Sequence, residues 1–225
     1  MTQTIMIIGA SRGIGLGLAA EFAERGWQVV ATERSRSDAL HALAEGSGGQ
    51  VRIAQIDVTD RASIAALAAA QPPGSLDAVL VNAGIGERRG VDEASDEDIA
   101  HIMLANAAGP VRTARALLPA LRDGGTLAFT TSLMGSIADS SGGAELYRMS
   151  KAALNMLARG MFEQEAKGRG IAVLSLHPGW VKTDMGGANA PVTVEESARG
   201  MADVLTATQP VEHRFLDFRG RQLPW

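Results

Sequence analysis

The sequence predicts a single α/β domain in which helices cover both faces of a doubly wound parallel sheet. Short apolar runs alternate along the chain with longer Ala- and Leu-rich segments of helical period. Most of the short runs are continuously apolar, as expected for parallel strands that are buried on both faces. The length of 225 residues fits one domain. No linker, internal repeat or low-complexity tract divides the chain.

The order of these segments predicts about seven strands separated by helices. The predicted strands are Thr4–Gly9, Gln28–Thr32, Val51–Ile56, Ala78–Val81, Thr126–Thr130 and Ile171–Leu176, with a shorter one near Phe215. The predicted helices lie at about 13–25, 37–45, 60–70, 95–121, 144–167 and 193–206. Repeated β-α-β units with right-handed crossovers would join the strands into one open sheet.

The composition excludes several classes of function. A net charge of −4 with scattered Lys and Arg residues argues against a nucleic-acid-binding protein. The absence of cysteine excludes disulfides and thiolate chemistry, and the four histidines lack metal-ligand spacing, so no metal site is expected. No apolar stretch approaches the roughly 20 residues of a membrane span. No cleavable signal precedes the first apolar run, so we expect no membrane partner and a cytoplasmic location.

The first predicted strand ends in a glycine-rich turn that opens the next helix. The turn reads Gly9-Ala10-Ser11-Arg12-Gly13-Ile14-Gly15. A dinucleotide binds at this carboxyl end of the first strand in open parallel sheets. Gly9 would permit the tight turn, while Gly13 and Gly15 would let the backbone approach a pyrophosphate at the helix N-terminus. A turn without a ligand is the alternative, but its position directly after the first strand favours a dinucleotide site.

Tyr147 and Lys151 lie four residues apart near the start of a predicted helix, on one helix face. Carbonyl reduction needs a proton donor at the substrate oxygen while hydride reaches the carbon. A nearby ammonium would lower the pKa of the phenol from about 10, so that Tyr147 could serve as acid or base. A solvated helix face is the alternative interpretation of such a pair. The hydroxyl of Ser132, just past the fifth strand, could hold a substrate oxygen against Tyr147.

Together these motifs resemble the short-chain dehydrogenase/reductase family, which has a Rossmann fold. The resemblance spans residues 9 to about 184 in the right order. It implies that Asp57 and Val58 contact adenine and that Asn82 begins a motif that stabilises the sheet. The implied dinucleotide-binding residues are Gly9, Ser11, Arg12, Gly13, Ile14, Gly15, Glu33, Arg34, Asp57, Val58, Asn82, Ala83, Gly84, Tyr147, Lys151, Pro178, Gly179, Val181 and Thr183.

The resemblance also implies a catalytic role for Asn106, together with Ser132, Tyr147 and Lys151. Asn106 is a poor helix former inside the predicted helix 95–121, where it could equally be a surface polar residue. In the family, an Asn at this place bends the helix and holds a water that joins the Lys to bulk solvent. Ser132 precedes Tyr147 by fifteen positions, slightly more than in the family, so Ser136 is the alternative catalytic serine. A loop insertion at 139–143 would absorb the difference.

The end of the second strand gives conflicting evidence about the cofactor. Glu33 stands where an acidic residue would accept a hydrogen bond from the ribose of NAD(H). Arg34 and Arg12 instead offer forked donors that suit the 2′-phosphate of NADP(H). We favour NADP(H), with NAD(H) as the alternative. The short, glycine-rich segment 184–191 resembles the mobile lid of the family and suggests a cleft for small or varied carbonyl compounds.

The sequence therefore predicts an NADPH-dependent carbonyl reductase with a small-molecule substrate. The segments 135–139 and 215–225 resemble the subgroup that contains the bacterial C-factor and the sniffer-type carbonyl reductases. A nucleotide-binding signalling protein of the C-factor type, in which catalysis is incidental, is the alternative function. A sugar-nucleotide epimerase is a weaker one, because it usually has an added substrate domain. By analogy, helices 95–121 and 144–167 would form a homodimer or homotetramer.

Overall fold

The computed structural model describes residues 2–225 and contains one seven-stranded sheet in the order β3-β2-β1-β4-β5-β6-β7. The strands are β1 (Thr4–Ile8), β2 (Gln28–Glu33), β3 (Val51–Gln55), β4 (Leu76–Val81), β5 (Leu121–Thr130), β6 (Ala172–His177) and β7 (His213–Asp217). Every neighbouring pair of strands is parallel. The strand order reverses between β1 and β4, so a crevice opens at the carboxyl ends of these two strands.

Helices cover both faces of the sheet, which confirms the predicted doubly wound fold. They are α1 (Gly13–Glu24), α2 (Asp38–Gly46), α3 (Arg61–Ala69), α4 (Asp96–Met103), α5 (Gly109–Leu117), α6 (Glu145–Met161) and α7 (Val194–Thr206). Ile5 and Ile7 of β1 face the core formed with α1, α2 and α7, whereas Met6 and Ile8 face the core formed with α3, α5 and α6. This alternation between two buried faces explains why β1 is apolar throughout.

The prediction of one helix over residues 95–121 is wrong. After α4 the chain forms a π-helical segment, Leu104–Ala108, and only then continues as α5. Pro110 contributes to this widening because it has no N–H to donate to the carbonyl of Asn106, four residues earlier. A short 3-10 turn over Leu118–Ala120 follows α5, and β5 begins at Leu121, five residues before the predicted start.

The predicted helix 144–167 is also shorter as a regular α-helix. α6 ends at Met161 and continues as a π-helical segment, Phe162–Ala166, and a 3-10 turn, Lys167–Arg169. Gly170 then adopts a left-handed conformation (φ +66°), which ends the helical segment. Most other boundaries agree with the prediction to within one or two residues. Within residues 2–225, no helix is long and apolar enough to cross a membrane.

Candidate active site

The glycine turn after β1 depends on backbone conformations and close contacts that exclude larger residues. Gly9 (φ +88°) and Gly13 (φ +54°) lie in the left-handed region. A Cβ at Gly9 would lie 2.9 Å from the backbone of Ala83, and one at Gly13 would lie 3.3 Å from Cγ2 of Thr183. A Cβ at Gly15 would overlap the carbonyl oxygen of Gly9. Gly15 therefore lets α1 pack against the turn itself, and its approach to a pyrophosphate stays a prediction.

The N-terminus of α1 has free backbone donors. Its N-cap residue, Arg12, makes no side-chain capping hydrogen bond. In contrast, a side chain caps each of α2, α3, α4 and α7, namely Ser37, Asp60, Ser95 and Thr193. The first-turn N–H groups of α1 and the positive end of its dipole can therefore bind an anion. Together with the glycine turn, they fit the pyrophosphate of a dinucleotide.

The side chain of Asn82 joins the strand ends around this turn. Its Nδ2 donates a hydrogen bond to the Gly9 carbonyl (2.8 Å), and its Oδ1 accepts one from the Thr130 hydroxyl (3.0 Å). The Thr32 hydroxyl accepts a further bond from the Gly9 amide (2.9 Å). These bonds link the carboxyl ends of β1, β2, β4 and β5. Asn82 thus has the sheet-stabilising position that the resemblance implied.

Ser132, Tyr147 and Lys151 meet where the end of β5 approaches the start of α6. Ser132 begins a 3-10 turn, Leu133–Gly135. This turn packs directly against α6, because a Cβ at Gly135 would lie 2.8 Å from the backbone of Lys151. The Lys151 ammonium lies 5.7 Å from the centre of the Tyr147 ring and donates a hydrogen bond to the Thr130 carbonyl (2.9 Å). The predicted pair therefore shares one face of α6 and faces the sheet edge.

Burial controls the titration of both groups. It raises the pKa of Tyr147 to about 12, while the nearby Ser132 hydroxyl acts in the opposite direction. Burial also lowers the pKa of Lys151 to about 8, because the charged ammonium is removed from water. The predicted lowering of the Tyr147 pKa by Lys151 is therefore wrong for this structure, in which desolvation of the phenolate is the larger effect. Near neutral pH, Tyr147 is a protonated phenol.

The structure brings Ser132, and not Ser136, to Tyr147. The Ser132 hydroxyl lies near enough to the Tyr147 phenol to favour a lower pKa of Tyr147, and it accepts a hydrogen bond from the Met134 amide (3.1 Å). The Ser136 hydroxyl instead accepts a hydrogen bond from the Asp139 amide (3.1 Å) within its own loop. Arg148 holds the insertion that follows, donating from Nε to the carbonyls of residues 142 and 143 at 3.0 and 2.9 Å. The longer spacing between Ser132 and Tyr147 is thus taken up by an ordered loop.

Asn106 lies in the π-helical segment and is completely buried. Its Oδ1 accepts a hydrogen bond from the Ile85 amide (2.7 Å), and its Nδ2 donates to the Ile85 carbonyl (2.9 Å). Nδ2 also donates to the Ser150 hydroxyl (3.0 Å), which in turn donates to the Tyr147 carbonyl (2.8 Å). Asn106 therefore connects the segment after β4 to the helix that carries Tyr147 and Lys151. Its irregular helix agrees with the predicted bend.

Sequence reasoning missed Ser150 in this chain of hydrogen bonds. A serine inside a helix is weak evidence for a role in the site, because its hydroxyl commonly donates to a carbonyl of the preceding turn. Gly84 completes the contact, since a Cβ there would lie 3.2 Å from Oδ1 of Asn106 and 3.4 Å from Nζ of Lys151. The two polar groups thus lie on one side of Gly84, next to the glycine turn.

Comparisons with known proteins agree with this geometry. Residues 3–192 match the family model described as short chain dehydrogenase. The C-signal protein of Myxococcus xanthus is 43% identical over 158 residues, which are 68% of this chain and 94% of that protein. The chain belongs to the short-chain dehydrogenase family.

Solved structures extend the likeness of this dehydrogenase over its whole length. A carbonyl reductase from Pseudomonas aeruginosa PAO1 in complex with NADP is 41% identical, with a TM-score of 0.89 over 100% of both chains. The carbonyl reductase Sniffer of D. melanogaster is 28% identical, with a TM-score of 0.90 over 100% of both chains. The matches confirm the predicted family, its C-factor and sniffer subgroup, the Rossmann-type fold and the reaction class, an NAD(P)-dependent oxidoreductase.

The end of β2 places the acidic and basic residues of the dehydrogenase in different surroundings. The Glu33 side chain is only 2% exposed and accepts hydrogen bonds from the Ser37 amide (2.7 Å) and from Nε2 of His41 (3.0 Å). Arg34 is exposed, and its guanidinium forms no hydrogen bond or ion pair with any of residues 2–225. Arg12 is exposed as well and pairs with Asp184 at 2.6 Å. Basic groups, and not the carboxylate, face solvent here.

Asp57 and Val58 follow β3 at the same edge of the dehydrogenase sheet. Oδ1 of Asp57 accepts hydrogen bonds from the amide (2.8 Å) and the hydroxyl (2.6 Å) of Thr59, and these bonds lower the pKa of Asp57. The Val58 carbonyl touches Gly109 at the start of α5, where a Cβ would overlap it. Both residues are half-buried, and Val58 packs against the hydrophobic core.

The segment after β6 approaches the glycine turn of the dehydrogenase from the opposite side. Gly179 adopts φ +87°, and the preceding Pro178 carbonyl accepts a hydrogen bond from the Ser197 hydroxyl (2.7 Å). Val181 is buried and pairs with Val192 in an isolated bridge. The chain then passes close to Gly13, where an added Cβ would lie 3.3 Å from Cγ2 of Thr183. Ser11 and Ile14, both half-buried, complete the set of predicted residues at this edge.

Proposed function

We propose that the protein reduces small carbonyl compounds with NADPH and that Tyr147 donates the proton. The observation that carries this proposal is the position of Tyr147, which lies near Ser132 and has the Lys151 ammonium 5.7 Å from the centre of its ring. A phenol whose pKa is raised to about 12 by burial is protonated at neutral pH, as an acid in the reductive direction must be.

The proposed reaction converts a carbonyl to an alcohol. The dinucleotide supplies the hydride that reaches the carbonyl carbon. Ser132 donates a hydrogen bond that orients the substrate oxygen, and Tyr147 gives its phenolic proton to that oxygen as negative charge develops there. Hydride and proton together account for the two hydrogens that the alcohol gains. The phenolate left on Tyr147 then takes up a proton before the next turnover.

We assign Lys151 and Asn106 to binding and to proton return. One N–H of the Lys151 ammonium is used by the Thr130 carbonyl, which leaves the others for a ribose hydroxyl. Both N–H donors of the Asn106 side chain are used, so its contribution is to hold Ser150 and the segment after β4 in place. Its main-chain carbonyl, to which Pro110 cannot donate, is the acceptor for the water that the family resemblance implies.

The preference for NADP(H) rests on charges at the end of β2. The exposed Arg34, and Arg12 once it leaves Asp184, would hold a 2′-phosphate through charge-assisted hydrogen bonds. The exposed ion pair between Arg12 and Asp184 is weak competition, since such pairs contribute about 0–1 kcal/mol. The NADP complex of the 41% identical carbonyl reductase supports the same cofactor.

A panel of aldehydes, ketones and quinones, assayed with NADPH and with NADH, tests this proposal. We expect oxidation of NADPH with several small carbonyl compounds and a lower Kd for NADPH than for NADH. Tighter binding of NADH would contradict the cofactor assignment. A folded protein that binds NADPH but reduces no member of the panel would contradict carbonyl reduction.

A signalling function is the second candidate, because the 43% identical relative is named C-signal. The Tyr147→Phe variant separates the two functions, since it keeps the ring but removes the transferable proton. The catalytic proposal expects dinucleotide binding to persist and turnover to be lost. A phenotype of the gene deletion that Tyr147→Phe complements fully would favour signalling.

We also propose that the protein self-associates through the outer face of α6. Met156 is 72% exposed, and Met149 and Leu157 lie on the same helix with large exposed areas. Exposed apolar side chains in a row mark interaction surfaces. Light scattering should show a dimer or tetramer, and Met156→Asp should dissociate it; a monomeric wild type at micromolar concentration would contradict the proposal. Cell fractionation tests the predicted cytoplasmic location.

A further inference from the structure

We propose that His41 determines the dinucleotide preference by holding the Glu33 carboxylate away from the ribose. The inference rests on the proposed NADPH-dependent function and adds residues that the sequence did not indicate. Glu33 stands at the end of β2, where a free carboxylate would bind a ribose hydroxyl and repel a 2′-phosphate. In this protein, the carboxylate has no such freedom.

Both carboxylate oxygens of Glu33 have partners in and before α2. Oε2 accepts a hydrogen bond from the Ser37 amide at 2.7 Å, and Oε1 accepts one from Nε2 of His41 at 3.0 Å. Ser37 is the N-cap residue of α2, so the carboxylate also lies at the positive end of that helix. With 2% of its side chain exposed, Glu33 offers almost no surface to a ligand.

Arg36 fixes the tautomer of His41 that makes this arrangement work. Its Nη1 lies 3.0 Å from Nδ1 of His41. A guanidinium can only donate, so Nδ1 accepts, and the ring N–H that donates to Glu33 is the one on Nε2. That N–H points to Oε1 of Glu33. Arg36, His41 and Glu33 thus form a directed chain of hydrogen bonds that begins at an exposed guanidinium and ends at a buried carboxylate.

The same arrangement leaves positive charge at the surface. Arg34 is exposed beside Glu33 and forms no ion pair with the residues that the structure describes, 2–225. The Ser37 hydroxyl donates to the Ser11 carbonyl at 2.6 Å, which ties the start of α2 to the glycine turn. Turning Glu33 toward a ribose would break two hydrogen bonds and leave His41 without its acceptor. The acidic residue therefore does not oppose a 2′-phosphate while His41 holds it.

Equilibrium binding of NADPH and NADH to His41 variants tests this proposal. In His41→Leu, Glu33 loses its Oε1 partner, and we expect the ratio of the NADH Kd to the NADPH Kd to fall about tenfold, as loss of one charged hydrogen bond implies. In His41→Gln, the side-chain amide can still donate to Glu33, and we expect the ratio to stay near that of the wild type. Adding Glu33→Gln to His41→Leu should restore the preference for NADPH.

The single variant Glu33→Gln is the matched control. Because the wild-type carboxylate does not face the ribose, this change should alter the Kd ratio little. A large shift in Glu33→Gln alone, or an unchanged ratio in a folded His41→Leu protein, would overturn the inference. If His41→Leu does not fold, His41→Ala applies the same test, because it also removes the donor to Oε1 of Glu33. A wild type that binds neither dinucleotide would instead contradict the proposed function.

Discussion

Replacing Asn106 with alanine should weaken both the fold and the catalytic arrangement. The change removes three side-chain hydrogen bonds, two to Ile85 and one to Ser150, in a completely buried position. At about 1 kcal/mol for each bond, the free energy of unfolding should fall by about 3 kcal/mol. For a domain of this size, a loss of that order lowers Tm by roughly 6–12 °C. Turnover should fall further, because the helix that carries Tyr147 and Lys151 loses its link to β4.

Chemical denaturation of the wild type, Asn106→Ala, Ser150→Ala and the double variant measures this loss. Asn106 and Ser150 share a hydrogen bond, so their effects should not add, and the double variant should lose less than the two single losses combined. Ser150→Ala keeps both bonds between Asn106 and Ile85 and should lose about 1 kcal/mol. If the free energy of unfolding of Asn106→Ala is within about 0.5 kcal/mol of that of the wild type, the three hydrogen bonds contribute almost nothing to stability. That result would refute the stabilising role of Asn106.

Three further predictions concern the serine, the glycine turn and the ammonium. Ser132→Ala should reduce kcat by about 10²–10³-fold, as loss of an oxyanion donor does, whereas Ser136→Ala should leave kcat unchanged. If only Ser136→Ala reduced kcat, Ser136 would be the catalytic serine. Gly15→Ala should lower the free energy of unfolding by about 1–3 kcal/mol through overpacking and should weaken NADPH binding. Gly46→Ala is the control, because nothing lies within 4 Å of the added Cβ, and it should change neither stability nor binding. The pKa of Lys151 is lowered to about 8, so its positive charge is present below that pH and lost above it. We therefore expect kcat/KM for NADPH to fall above about pH 8, and a pH profile that stays flat to about pH 10 would contradict this.

Much of the fold could be predicted because the signals were local. Continuous apolar runs marked β1 and β6, and Ala- and Leu-rich segments of helical period marked the helices. The start of β5 could not be found this way, because residues 122–125 are polar or glycine and form an irregularity between the pairs Leu76/Leu121 and Ala78/Thr126. The break in the predicted helix 95–121 has a local cause in Pro110, which the sequence shows. It also involves the contact of Asn106 with Ile85, 21 positions away, which the sequence does not show.

The candidate site shows the same division between local and distant information. The positions of Tyr147 and Lys151 follow from helical spacing, and the turn of Gly9 follows from strand and helix boundaries. The pKa values of Tyr147 and Lys151 could not be predicted, because burial by residues from other elements sets them. The orientation of the Glu33 side chain could not be predicted either, because it depends on the tautomer of His41, eight positions further along the chain.

Proton donation by Tyr147 is the central claim, and a single comparison tests it most directly. NADPH oxidation with the best carbonyl substrate of the panel would be followed under single-turnover conditions for the wild type and for Tyr147→Phe, with the Kd for NADPH measured on the same samples. We predict an NADPH Kd within about twofold of the wild type and a hydride-transfer rate reduced by at least about 10²-fold, the lower range for loss of a general acid. Tyr147→Phe protein that binds NADPH normally and oxidises it at the wild-type rate would contradict the account.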